Sequence, residues 1–291
     1  MLQQMRSRTD LAIDEHERVS GSIPGVKKEE LSFENVRITR ITVENSEGAE
    51  AIGKPVGRYI TVETESFGRF SDMTDARQAA VTGELSRLLP PDGAVLVAGL
   101  GNTEITPDAV GPRSVGMILA TRHLSGELTR KVGLGDLRAV SALSPGVLGK
   151  TGIETGELLF GVVRQIAPAA VIVIDALASN SLSRLGRTVQ ITDTGIIPGS
   201  GVGNARREIS RKTLGVPVIA VGVPTVVDAV TLARDVFKGE EDTLQGGTAD
   251  MMVTPREIDT VVENAAALIA LSVNRALHPA IPAEELMALV G

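Results

Sequence analysis

Cysteine and tryptophan are missing from the 291 residues, and aromatic side chains amount to five Phe and one Tyr. Without a thiol there can be no disulfide, no Cys-held zinc and no cysteine nucleophile. With aromatics at 2%, the chain has almost no platform on which bases of single-stranded nucleic acid could stack. An excess of positive charge is lacking too: the net charge is -7, which argues against a broad phosphate-backbone footprint. Only three histidines occur, His16, His123 and His278, none at metal-ligand spacing from another His or Glu, and no Gly-x-Ser-x-Gly elbow precedes a helix. A serine triad or a histidine-rich zinc site is therefore not expected.

Long apolar runs are absent as well. Val216–Val227 is punctuated by Gly and Pro, Ala265–Val273 is too short, and a membrane span needs about 20 apolar residues. Met1 to Asp10 is polar and lacks the apolar core of a secretory signal. These absences lead to the expectation of a soluble cytoplasmic protein that binds neither membrane nor nucleic acid. What the chain does have is aliphatic bulk. Hydrophobic residues make up 43% and charged ones 22%, enough for a large core of Val, Ile, Leu and Ala.

Residues 1 to about 30 are polar, with the run Lys27-Lys28-Glu29-Glu30 and the loop signal Ser20-Gly21-Ser22, and read as a mobile arm. Val36–Val43 and Tyr59–Glu63 alternate β-branched with polar residues, the pattern of an antiparallel piece with one wet face. A helix capped at Ser71 or Asp72 should run to about Leu89, where Pro90-Pro91 stops it. From Ala94 short, wholly apolar strands follow: Val95–Ala98, Val140–Leu143, Val171–Ile174 and Val216–Val221. Helix-length segments Val110–His123 and Glu154–Ile166 separate the first three, which indicates a parallel sheet covered on both faces. Thr188–Thr192 reads as an added edge strand, Thr225–Phe237 and Pro255–Leu277 as helices, and Lys238–Asp250 as an exposed loop. The expected fold class is α/β: a three-layer sandwich with a mainly parallel sheet and a small antiparallel β appendage at about 31–70.

In such a sheet ligands sit beyond the carboxyl ends of the strands. After Val95–Ala98 comes Gly99-Leu100-Gly101-Asn102, and then Thr106-Pro107-Asp108; Glu104 stands where a dinucleotide fingerprint needs a third glycine. Asp108 could be a helix cap or a catalytic acid. The loop from Ser144 to Thr151 nearly matches a phosphate-binding loop around Lys150, but Ser144 replaces its first glycine and Pro145 removes an amide. Asp175 ends the apolar strand Val171–Ile174, a costly place for a carboxyl group unless it is paired, solvated or functional. If the two strands are neighbours, Asp108 and Asp175 face each other across one crevice. Asp193-Thr194-Gly195 matches the tripeptide of pepsin-like proteases, but those are all-β proteins and the match is read as coincidence. The glycine-rich Pro198–Asn204 run that follows permits close approach of a ligand or another chain.

Taken together, several stretches resemble the germination protease (spore protease) family of spore-forming bacteria. They are Arg8–Ala12, Gly48–Gly53 with Gly57–Tyr59, Gly99–Asn102, Thr106–Pro112, Thr121–Leu124, Pro145–Thr155, Ile174–Ala178, Ile191–Asn204, Leu214–Val230 and Val253–Asp259. The resemblance implies an endopeptidase that degrades small acid-soluble spore proteins at germination, in the cytoplasm of the forespore or spore core. It implies a homotetramer, made as a zymogen that removes its own propeptide, with a fold similar to hydrogenase maturation endopeptidases. The family's two functional aspartates carry onto Asp108 and Asp175, and no cofactor or resident metal is expected. Thr9-Asp10-Leu11-Ala12 resembles the acidic-then-apolar site that the family cuts. The expected division is therefore a propeptide over 1–10, cut between Asp10 and Leu11, and one peptidase domain over 11–291. Two departures stand out: a shorter stretch between Arg234 and Met251 than in longer members, and Lys150 where a neutral residue is expected. Two rival readings use the same loops: a metal-assisted maturation-type peptidase with these carboxylates as ligands, and a nucleotide-binding regulatory module built on the loop of Lys150.

Overall fold

The computed structural model describes residues 9–19, 21–69, 76–124, 126, 137–237 and 251–290. The expected cap at Ser71 or Asp72, the loop Lys238–Asp250 and residues 1–8 lie outside them. The strands are β1 (Val26–Phe33), β2 (Val36–Val43), β3 (Gly57–Glu63), β4 (Val95–Gly99), β5 (Val140–Leu143), β6 (Ala170–Ser179), β7 (Thr188–Thr192), β8 (Val218–Asp228) and β9 (Met252–Val253). They form one sheet in the order β1-β2-β3-β7-β8-β6-β4-β5, with β9 beside β8.

The sheet is mixed rather than mainly parallel. The pairs β4–β5, β4–β6 and β6–β8 are parallel, whereas β1–β2, β2–β3, β3–β7, β7–β8 and β8–β9 are antiparallel. The expected appendage at 31–70 is continuous with this sheet, because β7 joins β3 to β8. Thr188–Thr192 is thus an interior strand, not an edge. Every one of its residues is buried, which its alternating sequence does not suggest, because Thr61 on β3 gives Gln190 a hydrogen-bond partner at 2.9 Å.

Side chains of the parallel strands alternate between two apolar clusters. Val95, Val97, Ile172 and Ile174 pack with Val81 and Leu85 of helix Ala76–Leu88 and Leu268 of helix Ile258–Leu277. Leu96, Ala98, Val171 and Val173 pack instead with Leu159 and Val163 of helix Thr155–Ile166. A strand buried on both faces needs an unbroken apolar run, and β4 and β6 have one. Burying a Leu, Ile or Val side chain contributes about 1.5–3 kcal/mol, so these two clusters carry much of the stability.

Three helical readings change. The segment from Val110 is helical only to Gly116, and residues 225–228 belong to β8, so its following helix is Ala229–Phe237. The β-branched run Thr225-Val226-Val227 suits a strand better than a helix. The polar arm is not free. Residues Ala12–Arg18 form a helix whose Leu11, Ala12 and Ile13 are buried against Ile41, Val43, Ile52 and Tyr59. The Leu11-Ala12-Ile13 triplet is the apolar signal that the surrounding charges mask. Likewise Lys27–Glu30 lies in β1, an exposed edge strand, where charged side chains are the usual guard against further pairing.

Candidate active site

Asp175 lies within β6 just past the stretch paired with its parallel neighbour β4, and Asp108 lies in the loop that follows β4. β4 pairs with β6 up to Gly99↔Ile174, so Asp175 is the first residue past the last paired position. Beyond Gly99 the chain turns, with Leu100 N–H donating to Ile174 O at 2.8 Å, and Gly101 takes φ +115°, which a side chain rarely adopts. A 3-10 turn over Thr106–Asp108 then brings Asp108 back, and its Oδ2 accepts the Asn102 N–H at 2.8 Å. Gly111 lets this turn lie flat on the sheet. A Cβ there would stand 2.3 Å from Leu100 O and 2.4 Å from Ile174 O.

Burial governs the charge state of both groups. Asp175 is only 5% exposed, and its one hydrogen bond is from Ala176 N–H to Oδ1 at 2.9 Å. Burial pushes its carboxyl well above the ordinary carboxylate range, and the nearby negative charges of Asp108 and then Asp10 push it further. Burial also raises Asp108, against the opposing pull of the Asn102 N–H. Both groups are thus biased toward holding a proton, and the charge of Asp108 reaches Asp175. Capping does not account for Asp108, because its carboxylate bonds back to the loop rather than to the following helix.

Asp10 joins this group, although sequence reading placed it in a mobile arm. Past Ile174 the edge of β6 that faced β4 is free, and residue 10 occupies it. Asp10 N–H donates to Ala178 O at 3.0 Å, Ala178 N–H donates to Asp10 Oδ2 at 2.9 Å, and Ser200 Oγ donates to Asp10 Oδ1 at 2.7 Å. The Lys54 ammonium donates to the Thr9 carbonyl at 3.3 Å and the Asp10 carbonyl at 3.0 Å, and burial lowers its pKa. Leu11, the other half of the expected cleavage site, is fully buried. The bond between Asp10 and Leu11 can therefore be cut only after this segment lifts. Sequence reading passed over Lys54; Ala178 and Ser200 lay in the stretches Ile174–Ala178 and Pro198–Asn204, without an assigned role.

A second acidic residue anchors the same segment. Asp14 Oδ1 accepts from Arg184 at 2.6 Å, and its Oδ2 accepts from Thr9 Oγ1 at 2.6 Å and Asn180 N–H at 2.9 Å, all at a carboxylate only 1% exposed. The remaining motifs have structural partners. Asp193 pairs with Arg58 at 2.7 Å and ties its loop to β3. Lys150 lies in the one-turn helix Leu148–Thr151 and bonds Glu104 at 2.6 Å, rather than standing at the start of a long helix as in a phosphate-binding loop. Of the histidines, His278 is buried at a helix end. Among the described residues no group of three His, Asp or Glu side chains could hold a metal ion, and no helix is long and apolar enough to cross a membrane.

A mixed α/β sheet with paired acids beyond its parallel strands is a frame for acid–base chemistry, and so for an enzyme. Comparison with known proteins gives the particular family. The sequence model of the germination proteases matches residues 3–238. A germination protease of Caldanaerobacter subterraneus subsp. tengcongensis is 44% identical, over 97% of this chain and 98% of that protein. One from Clostridium perfringens is 40% identical over 96% and 97%, and one from Priestia megaterium 45% over 80% and 67%. Among solved structures, the NiFe hydrogenase maturation protease HycI from Thermococcus kodakarensis aligns at TM-score 0.37 with 17% identity, covering 65% of this chain and 98% of that one. The chain belongs to the germination protease family, a family of peptidases.

Proposed function

We propose that the chain is the endopeptidase that begins degradation of small acid-soluble spore proteins at germination, working in the spore core and its forespore precursor as a homotetramer. The observation that carries the chemistry is a buried carboxyl group, Asp175, beside the half-buried Asp108, whose negative charge adds to the upward push of burial. The pair holds one proton. The ionised member takes a proton from a water whose oxygen attacks the carbonyl carbon of the substrate peptide. The protonated member gives its proton to the departing amine as the C–N bond breaks. The pair ends as it began, with one proton between two acids. Burial supports this arrangement because it favours the protonated form of Asp175.

The same reading makes residues 1–10 a propeptide that the enzyme removes between Asp10 and Leu11. Its support is the position of Asp10, docked on the free edge of β6 within electrostatic range of Asp175. The test is incubation of the purified chain with a small acid-soluble spore protein, with cuts and the new N-terminus read by mass spectrometry. Cuts after acidic residues and a chain beginning at Leu11 are expected. An intact substrate overturns the function, and a different new N-terminus overturns the processing site.

A further inference from the structure

The Asp10 carboxylate rests in a socket that is more specific than tethering the N-terminal segment requires. Both of its oxygens are occupied by neutral donors, the Ala178 N–H at 2.9 Å and the Ser200 hydroxyl at 2.7 Å. No salt bridge to Asp10 accompanies them among the described residues. The third wall is bare backbone. A Cβ on Gly201 would lie 2.2 Å from Asp10 Oδ2 and 2.8 Å from the Ala178 Cβ, so only glycine leaves room for the acid. Gly199 and Gly203, at φ +73° each, turn the chain so that residues 200–202 present this face.

The main chain is held as a substrate strand would be. β6 continues to Ser179 after β4 has turned away at Gly99, and one main-chain bond, from Asp10 N–H to Ala178 O, sets residue 10 beside that part of β6. An added strand gains affinity from main-chain bonds and specificity from the side-chain sockets beside it. At Leu177/Ala178 the β6–β8 register shifts, and such irregularities re-aim backbone groups next to functional sites.

We propose that Ser200, Gly201 and the Ala178 amide form the specificity subsite that selects an acidic side chain in the substrate, and that Asp10 fills it in the intact chain. This rests on the reading of the chain as a peptidase. A hydroxyl and an amide suit a carboxylate because a charge-assisted bond is about twice as strong as a neutral one. The Lys54 ammonium bonds the Thr9 and Asp10 carbonyls rather than the carboxylate, so the acid is held by neutral donors, firmly enough to be chosen yet free to leave once cut. The uncut chain carries its own occupant, so a substrate enters only after residue 10 has gone.

The test uses the full chain after it has processed itself, and two peptides of the form Thr-X-Leu-Ala with X either Asp or Ala. Wild type should cut the Asp peptide with the higher kcat/KM. Ser200→Ala, which alters an exposed residue, should reduce the Asp-over-Ala preference roughly tenfold, the value of one hydrogen bond to a charged group. Ser200→Thr, which keeps the hydroxyl, should restore the preference. If wild type prefers neither peptide, or if Ser200→Ala slows both by the same factor, the subsite is refuted while the peptidase stands. If wild type cuts neither, the peptidase reading itself fails.

Discussion

Asp10 and Ala178 are joined twice: the amide of each donates to an oxygen of the other, at 3.0 Å to the Ala178 carbonyl and 2.9 Å to the Asp10 carboxylate. This pairing brings a residue of the N-terminal segment to the strand that carries Asp175, three positions away. The unprocessed chain thus holds three carboxyl groups, of Asp10, Asp108 and Asp175, in one electrostatic neighbourhood.

Asp108→Asn and Asp175→Asn should each remove nearly all proteolysis while leaving the circular dichroism spectrum unchanged. Neither variant alters side-chain volume, so folding should persist. Substantial cleavage by either variant rules out the shared-proton pair.

Stability should respond to pH in a definite direction. The folded-state pKa of Asp175 is raised above its unfolded value of about 3.9. Its contribution is therefore fully present below the unfolded pKa and is lost as pH rises through the folded pKa. At pH 7, above the unfolded pKa, the buried carboxyl therefore costs stability, and Asp175→Asn should melt several degrees higher than wild type. The gap should close as pH falls toward 4. Melting curves across that range decide it; a variant that melts lower at pH 7 shows that the carboxylate stabilises the fold.

Gly111→Ala should damage both stability and activity. The added methyl meets two backbone carbonyl oxygens, Leu100 O and Ile174 O, and neither can move without disturbing β4 and β6. Overpacking of this kind costs about 1–3 kcal/mol and should displace the turn that carries Asp108. Urea midpoints and kcat together test this, and an Ala variant with normal kcat argues against close packing at the turn.

Arg184→Met should destabilise the chain by about 3–5 kcal/mol, because it leaves the Asp14 carboxylate buried without its cation. The same substitution should expose residues 9–18 to added thermolysin. Resistance equal to wild type means that the ion pair does not hold the segment down.

Lys54→Met should speed self-processing. The cut needs Leu11 to leave its buried site, and the Lys54 ammonium clasps the two carbonyls just before it. Losing a charged hydrogen bond worth about 1.5–3 kcal/mol should raise the rate at least several-fold. Intact-mass time courses measure it, and slower processing assigns Lys54 to the reaction rather than to the hold.

Much of this was legible in the sequence. Unbroken apolar runs located β4 and the first half of β6, the mostly apolar Val140–Leu143 located β5, and the places of Asp108 and Asp175 after such runs singled them out. Extension of β6 beyond its apolar run was hidden, because Ala176–Ser179 continues as strand through its pairing with β8. The partnership of β7 with β3 likewise depends on residues more than a hundred positions apart, which local patterns cannot report. Composition misled at the N-terminus. Three apolar residues, Leu11 to Ile13, sufficed to dock a segment whose charges suggested solvent.

Because β7 stitches the N-terminal strands to the strands of the acids, neither half can come apart without breaking the ladder at Tyr59↔Thr192 or Gln190↔Gly222. Heat should then melt the described sheet in a single cooperative step, and the amides of β3, β7 and β8 should exchange with deuterium at one common slow rate.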